Sequence, residues 1–388
     1  MSIDSVVLHL KIGSASDDAP PALMRALQRV EVTQTDQAPS GFQLTFHVEK
    51  DDASAADFAL VAGSLLQPFQ RVVVMVVVNG HRTILMDGFI THQQFAPSER
   101  PGGSKLVVTG EDVSIKMDMI EISFEYPAMT DALIAEAVLA KYLLIGISPD
   151  VSPSVESIVP FGYVPQQNST DRAFLQQLAQ QNGAIFYVTP GSSPGKNTAY
   201  WGPPRLGDTP QDPLTGNMGP YSNVESISFD YDYTKPYFVY GYVMETSVDP
   251  YIPVPVVTLS STRTPQLAQD PALDPSRLVS LSMRKKLWQD QGMDPIKSLA
   301  VAQGMTDLST DDVVTAQGRL DVTRYGNVLT APGVVPLRGC GLQYDGLYYV
   351  KTVQHEIDVT TGGDWSYAQS FTLTRDGVGS TIDRLPQA

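Results

Sequence analysis

The 388-residue chain has a single cysteine, Cys340, set between Gly339 and Gly341. One thiol forms no intrachain disulfide, so nothing in the fold requires an oxidising compartment. With no Cys or His neighbour, Cys340 reads as a small buried apolar residue and not as a nucleophile. Basic charge is also scarce: 26 Lys and Arg stand against 42 Asp and Glu, a formal charge of −16. The cations are scattered, without the clustered stripe that neutralises phosphates, which argues against stable binding to nucleic acid or to an anionic membrane. Weak contact with DNA passing through a channel remains compatible with this charge. No apolar run approaches the roughly 20 residues of a membrane span. The longest, VVVMVVV from Val72 to Val78, reads by its β-branched content as a buried strand. The start, MSIDSVVLHLKIG, lacks the basic opening and apolar stretch of a signal peptide, so the expectation is a protein made and assembled in the cytoplasm.

Recognisable chemistry is missing too. The five histidines, His9, His47, His81, His92 and His355, fall in no HExxH or His-x-His spacing. There is no G-x-S-x-G elbow and no P-loop. No catalytic, cofactor-binding or metal-binding residue is assigned, no cofactor is expected, and the chain reads as a non-enzyme. The acidic stretches DLSTDDVV, from Asp307 to Val314, and FDYDYTKPY, from Phe229 to Tyr237, hold the residue types a glycosidase uses. Both adjoin strand or helix starts and read as solvated edges. The aromatics of YFVYGY and DGLYYV suit strands and packed interfaces as well as a sugar-stacking surface, and the packing reading is preferred.

What is present is mostly β. Hydrophobic content of 42% fits a globular protein, and the length calls for more than one packed unit. Residues 1–120 read as a first tube-like β-barrel: VVLHLKI and GFQLTFHVEK alternate apolar and polar residues, and Asn79-Gly80 marks a hairpin. SAADFALVAGSLL reads as one short helix, and Asp87-Gly88 as a second turn or bulge. Residues 121–222 read as an α/β insertion. One helix there starts at a Thr130 cap and stops at Gly146; a second starts at Ser169 or Thr170 and ends at Asn182-Gly183. Residues 223–262 and 313–388 read as a second barrel, split by a helical and loop insertion over 263–312 with helical pieces PSRLVSLSMRKKLWQ and DPIKSLAVAQGM. The fold class is therefore mainly β with α+β insertions: two tube-like β-barrel domains in one chain, linked by α/β segments.

The two barrels look like copies. DGFITHQQF, with Asp87, Gly88 and His92, is echoed by DGLYYVKTVQHEID, with Asp345, Gly346 and His355. Further on, LVVTGEDVSIKMD and FTLTRDGVGSTID match at one common offset, which sets Thr109 with Thr374, Val113 with Val378 and Asp118 with Asp383. These residues are the candidate structural positions of the repeat, and the two histidines are expected to hydrogen-bond across the barrel. A slow drift in spacing fits loops that lengthen between conserved strand positions, since closure entropy grows slowly with loop length. A ring-forming domain present twice lets three chains supply six similar units, matching a sixfold ring on one side and a threefold partner on the other.

The ordered stretches STDRAFLQQLAQQNGAIFYV, DGLYYVKTVQHEID and SFTLTRDGVGS also resemble the baseplate hub proteins of contractile phage tails. That group includes the late control protein D family and the hub part of type VI VgrG spikes, with relatives in tailocins and extracellular contractile injection systems. The resemblance covers roughly residues 165–380, with the first barrel agreeing in pattern only. It implies a homotrimeric structural hub that joins the hexameric inner tube to a trimeric spike, contacts other baseplate or adaptor proteins, and does not insert into membranes by itself. Fused members carry a further barrel and a needle after the second copy; none follows here before Ala388, so the spike is expected to be a separate protein. The resemblance places the chain in the baseplate of a tail or injection particle. If acidic side chains line the channel, acidic cargo would pass without sticking. Two alternatives stay open: a tail-associated cell-wall hydrolase, and the hub of a non-contractile phage tail.

Overall fold

The computed structural model describes residues 6–13, 17–49, 59–98, 103–153, 164–245, 251–273, 283–289, 293–359 and 365–381. The fold is mainly β. The first strands are β1 (Val7–Gly13), β2 (Leu27–Thr35), β3 (Gly41–His47), β4 (Arg71–Val78), β5 (His81–Ala96) and β6 (Lys105–Asp112), with short helices α1 (Pro21–Ala26) and α2 (Ala59–Ala62) between them. They pair in the order β1-β4-β5-β6-β3-β2. The Val72–Val78 run is the buried strand its composition demands, and Asn79 and Gly80 turn it with φ of 50° and 82°, as a two-residue hairpin requires. Asp87-Gly88 makes no second turn, because β5 runs unbroken through it.

A 3-10 helix, Val113–Asp118, leads into the α/β unit. There β7 (Glu121–Glu125) pairs with β9 (Gln166–Thr170), and β8 (Ile147–Val151), β10 (Ile185–Pro190) and β11 (Asn197–Gly202) form a sheet in the order β10-β11-β8. Helices α3 (Asp131–Ala140) and α4 (Asp171–Gln181) lie on it, and their own core includes Val113, Ile134, Leu175 and Trp201. Thr130 and Thr170 cap the two helices by accepting from Leu133 and Ala173 amides, which is why each helix starts where it does.

The second half opens with β12 (Leu214–Thr215) and β13 (Val224–Tyr231). An insertion then carries β14 (Tyr237–Glu245), β15 (Ile252–Val257), β16 (Ala268–Pro271), β17 (Arg284–Leu287) and α5 (Pro295–Thr310), capped by Asp294. Strands β18 (Val314–Asp321), β19 (Gly333–Arg338), β20 (Gly346–Val359), β21 (Trp365–Arg375) and β22 (Gly377–Ser380) complete the chain, with α6 (Val322–Tyr325) after β18. Two readings of the sequence change here. Residues 237–257 leave the second barrel for a separate sheet, β15-β14-β17, packed on α5 through Val239, Val243 and Val256. The segment Arg284–Leu287 is a strand parallel to β14 instead of helix, and the flanking residues 274–282 lie outside the described residues.

Strands β12, β19, β20, β21, β18 and β13 pair in that order, which repeats β1-β4-β5-β6-β3-β2 strand for strand. The irregularities repeat as well. Gln28 of β2 and Glu225 of β13 are each the extra residue of a bulge, and so are Thr91 of β5 and Lys351 of β20. Bulges fix register and re-aim a strand, so their matched placement marks equivalent positions. One difference is the outer pair: β1 and β4 run antiparallel, whereas β12 and β19 run parallel. The two halves share one sheet and one apolar core that runs from Leu8 to Leu373. Among the described residues, neither half closes into a barrel on itself.

The insertions meet at a close backbone approach. Gly183 ends α4 in the left-handed region, and a Cβ added to Gly304 of α5 would sit 2.5 Å from the Gly183 nitrogen. A buried ion pair between Lys297 of α5 and Asp131 of α3 closes the same contact. Gly304→Ala is expected to lower stability by about 1–3 kcal/mol, the usual cost of overpacking, read as a lower denaturation midpoint. An unchanged midpoint would show that α4 and α5 can separate freely.

Candidate assembly surface

The large sheet is made continuous by one junction. Strand β20 pairs through Gly346–Val350 with β19 and through Thr352–Asp358 with β2, so a strand of the first half adds to the second. Arg29 lies opposite Asp358, Val32 opposite His355 and Thr35 opposite Thr352. The core face of the junction, Val30, Val32, His355 and Ile357, is 0% exposed. Full burial of each aliphatic side chain contributes roughly 1.5–3 kcal/mol. On the outer face Arg29 Nη1 sits 3.1 Å from Asp358, Thr35 and Thr352 hydroxyls are 3.1 Å apart, and Tyr349 donates to Asp36 at 2.8 Å. Burial pushes the Asp36 carboxyl up to about 6.

His355 is the polar centre of this core. Its Nδ1 is 2.7 Å from the Tyr367 hydroxyl and 3.0 Å from Gln369 Nε2, and Gln369 also exchanges bonds with the backbone of Leu329. Those donors demand a neutral ring, and burial lowers its pKa to about 3. The histidine thus links β20 to β21 and, through Gln369, to the 329 loop. His92 has a different place: it is exposed on β5, opposite Thr109.

The matched bulges set a different residue correspondence from the one the sequence suggests. Thr91 and Lys351 are equivalent, so His92 corresponds to Thr352, and Thr109, between Gln43 and His92, corresponds to Thr372, between Gln317 and Thr352. Thr374 sits two residues further along, between Thr315 and Tyr349. Val113 and Asp118 belong to the 3-10 connector, and Val378 to the β16–β22 pair; Asp383 lies outside the described residues. Asp118 accepts from Thr170 at 2.5 Å and from Arg172, and the Thr170 bond first, then Arg172, lowers its pKa. The two Asp-Gly pairs also do different work. Asp87 is buried in mid-strand, takes two bonds from Arg71 at 2.6 and 3.0 Å, and accepts from the Gly195 amide at 2.8 Å, tying β5 to the β10–β11 hairpin. Gly88 lets β6 approach, since a Cβ there would lie 2.1 Å from the Glu111 carbonyl oxygen. Asp345 closes a turn by accepting from the Cys340 amide at 2.7 Å, and Gly346 opens β20.

The acidic stretch at 307–314 is internal framework, not solvated edge. Asp307 accepts from the Thr262 amide at 2.7 Å, Asp311 pairs with Arg263 at 2.7 Å and Asp312 with Lys235 at 3.2 Å. Among the described residues no group of His, Cys, Asp or Glu could hold a metal ion, and no helix is long and apolar enough to cross a membrane. Cys340 is half-buried, with its thiol pushed up to about 11 by burial.

Besides the outer strands β1 and β12, which pair on one side only, two further edges lie on the matched strands among the described residues. Strand β13 pairs on one side only, with β18. The distal half of β5, His92–Ala96, pairs with β6, and no described strand lies on its other side. At these edges the core-facing Phe95, Ile227, Phe229 and Tyr231 are only partly buried. The outward face of the sheet is polar and ion-paired: Arg29 with Glu31 at 2.7 Å, and Arg319 with Glu356 at 3.0 Å and Glu225 at 3.6 Å.

This architecture is that of tail proteins. The chain is similar to a 43 kDa tail protein of prophage MuSo2 from Shewanella oneidensis (14% identity, TM-score 0.62, covering 96% of this chain and 100% of that one). It is similar to a tail protein from Neisseria meningitidis MC58 (14% identity, TM-score 0.58, 97% and 98% covered). A third likeness is to a chain of the Francisella PdpA–VgrG complex (11% identity, TM-score 0.53, 99% of this chain and 54% of that one). The chain thus has the fold of phage tail and type VI secretion proteins, in keeping with the hub resemblance. A family model described as the Alg8 N-terminal domain matches residues 28–197, a span that starts inside β2 and leaves out the second half. No curated protein matches the sequence.

Two expectations follow. Asp87→Ala strands Arg71 and should cost about 3–5 kcal/mol, as for a broken buried pair, whereas Asp345→Ala loses one hydrogen bond and should cost about 1 kcal/mol; equal losses in denaturant melts would refute the distinction. His355 takes up a proton near 6.5 when unfolded but only near 3 when folded, so stability falls as pH drops through that window. Between pH 7 and 5 the parent protein should lose about 2 kcal/mol more than His355→Asn; parallel pH profiles would refute it.

Proposed function

We propose that the chain is a structural baseplate hub of a contractile injection machine, whether a phage tail, a tailocin or an extracellular injection particle. Three copies would form a collar, each supplying two copies of one β module, so that a threefold assembly presents six similar units. One face would meet the hexameric inner tube and the other a separate trimeric spike, with additional baseplate or adaptor proteins around the rim. The observation that carries this reading is the strand order β1-β4-β5-β6-β3-β2 written a second time as β12-β19-β20-β21-β18-β13, bulges included. A duplicated, self-pairing module is what a symmetry adaptor needs, because like interfaces close only around like units.

The module boundaries follow from the pairing. The first copy spans β1 to β6; the second spans β12, β13 and β18 to β21; the α/β unit and the α5 sheet are insertions on the outside of the repeat. The polar outer face of the sheet, with cations Arg29, Lys105 and Arg319 beside Glu31, Glu111, Glu225, Asp230, Glu356 and Asp358, supplies the channel wall. Its charges are largely paired, and its surplus is acidic, which suits acidic cargo. The role is mechanical: no step requires bond chemistry, and Asp307, Asp311 and Asp312 are held as structural acceptors.

Native mass spectrometry at micromolar concentration tests the assembly. The expected result is a species of three chains that gains a further trimeric mass when the neighbouring spike protein is added. A lone stable monomer in the presence of that spike would overturn the reading.

A further inference from the structure

Carboxylates far outnumber cations in this chain, and its only run of three cations is Arg284, Lys285 and Lys286. With Leu287 they make up β17, and all four are exposed. The strand runs parallel to β14, setting Arg284 beside Tyr237, Lys286 beside Val239 and Leu287 beside Tyr240. Among the described residues no strand lies along its other side, so backbone donors and acceptors there stand open to one more strand. Two of the cations are fixed at this edge. The Arg284 guanidinium and the Lys286 ammonium lie 5.8 and 5.3 Å from the centre of the Tyr237 ring, and Arg284 also donates to the Thr234 carbonyl at 2.9 Å. Neither forms an ion pair with a carboxylate among the described residues. The nearby Asp232 carboxylate is taken up by the Thr234 amide and hydroxyl, at 2.8 and 2.7 Å. We propose that β17 is a docking edge for an acidic, extended segment of another protein. That segment adds to the β15-β14-β17 sheet as a further strand, with carboxylates facing Arg284 and Lys286 and an apolar residue facing Leu287.

Charge and backbone together select this occupant. Opposite charges across a strand pair attract and like charges repel, so the edge rejects a second β17 and favours an acidic partner. Lysines on an edge commonly guard it against chance pairing. Here the guard is selective, because a strand of glutamates or aspartates turns it into an attraction. Leu287, 60% exposed beside the 47% exposed Tyr240, adds an apolar end on the outer face. Nucleic acid fits less well: its affinity grows with the number of phosphates neutralised, and three cations in a chain of formal charge −16 neutralise few. Nor does it have an amide backbone to pair with the open edge. The inner face of the sheet is packed on α5 through Val239, Val243 and Val256, so the edge is in place before a partner arrives and little ordering cost remains. The surface belongs to an insertion, apart from the repeated strands, and its docking does not depend on how many chains assemble.

Fluorescence anisotropy with synthetic peptides tests this on the full chain. The probe is a short labelled peptide of glutamates flanked by valine and threonine, and it is expected to bind saturably. The same peptide with glutamine for glutamate, or with backbone N-methyl groups that block strand pairing, is expected to bind about tenfold more weakly or worse. Arg284→Glu with Lys286→Glu should abolish binding. Arg25→Glu with Lys196→Glu, the same change of charge at exposed sites elsewhere, should leave it unchanged. No binding of the glutamate peptide, equal binding of either modified peptide, or equal loss in the two double variants overturns the docking edge. So does an oligo-dT strand that binds as tightly as the peptide, since that marks a general polyanion surface. Native mass of the same samples, with the spike present, keeps the two proposals apart. A trimer that does not bind the peptide overturns the edge and leaves the hub standing, whereas a monomer that binds it supports the edge and overturns the hub.

Discussion

Everything in this molecule is arranged around strand β2 lying along the distal half of β20. That single antiparallel pairing turns two six-stranded sheets into one, and it seals Val30, Val32, His355 and Ile357 away from water. Without it each half would expose a long apolar edge, since neither half closes on itself among the described residues. The junction also explains why a histidine belongs in the core. The Nδ1 of His355 gives Tyr367 and Gln369 an acceptor, and Gln369 in turn satisfies the 329 loop, while the buried Nε2 of the ring has no hydrogen-bond partner among the described residues. The bonds made at Nδ1 are directional, so the network favours one register, whereas an all-aliphatic seam could slip.

The insertions are locked to this frame by charge more than by apolar area. Asp87, in the middle of β5, reaches Arg71 on one side and the Gly195 amide of the α/β unit on the other. Arg172 at the start of α4 bridges Glu111 of β6 and Asp118 of the connector. Arg263 joins Asp311 and the Gly183 carbonyl, so the α5 insertion and the α/β unit share one cation. Such pairs are costly to break because they leave a buried charge uncompensated, and they are directional. They therefore hold the insertions at fixed angles on the sheet.

Local signals in the sequence were legible, and non-local ones were not. Thr130 and Thr170 each announce a helix through an oxygen placed before an apolar period, and each does cap one. Asn79-Gly80 announces a hairpin because both residues accept positive φ. The strand Arg284–Leu287 gives no such sign: three cations and a leucine extend because β14, far back in the chain, offers a hydrogen-bonding edge. The repeat was visible as a pattern and misaligned in detail for a related reason. Asp-Gly, His and Thr are conspicuous letters, but Asp87 and Asp345 do unlike jobs. The true anchors, Thr91 with Lys351 and Gln28 with Glu225, share no side-chain chemistry. A bulge is a property of backbone pairing, and nothing in residue identity need record it.

The two modules differ where symmetry is broken and agree where it must be kept. Strands β5, β6, β3 and β2 match β20, β21, β18 and β13 in their shared pairings, with the bulges at Thr91 and Gln28 repeated at Lys351 and Glu225, while the bulge of β5 at Leu85 has no counterpart in β20 and the outer strand β12 has shrunk to two residues and reversed its direction against β19 relative to β1 against β4. All the large insertions also fall outside the four matched strands. Strands that carry a repeated interface cannot drift independently, because each must present the same register to its neighbour as its counterpart does. Peripheral strands and loops face no such constraint, so they are free to distinguish the two copies within the chain. Matched backbone geometry thus outlasts side-chain identity in the four strands the two modules share, because pairing partners on both sides fix where each strand may bulge.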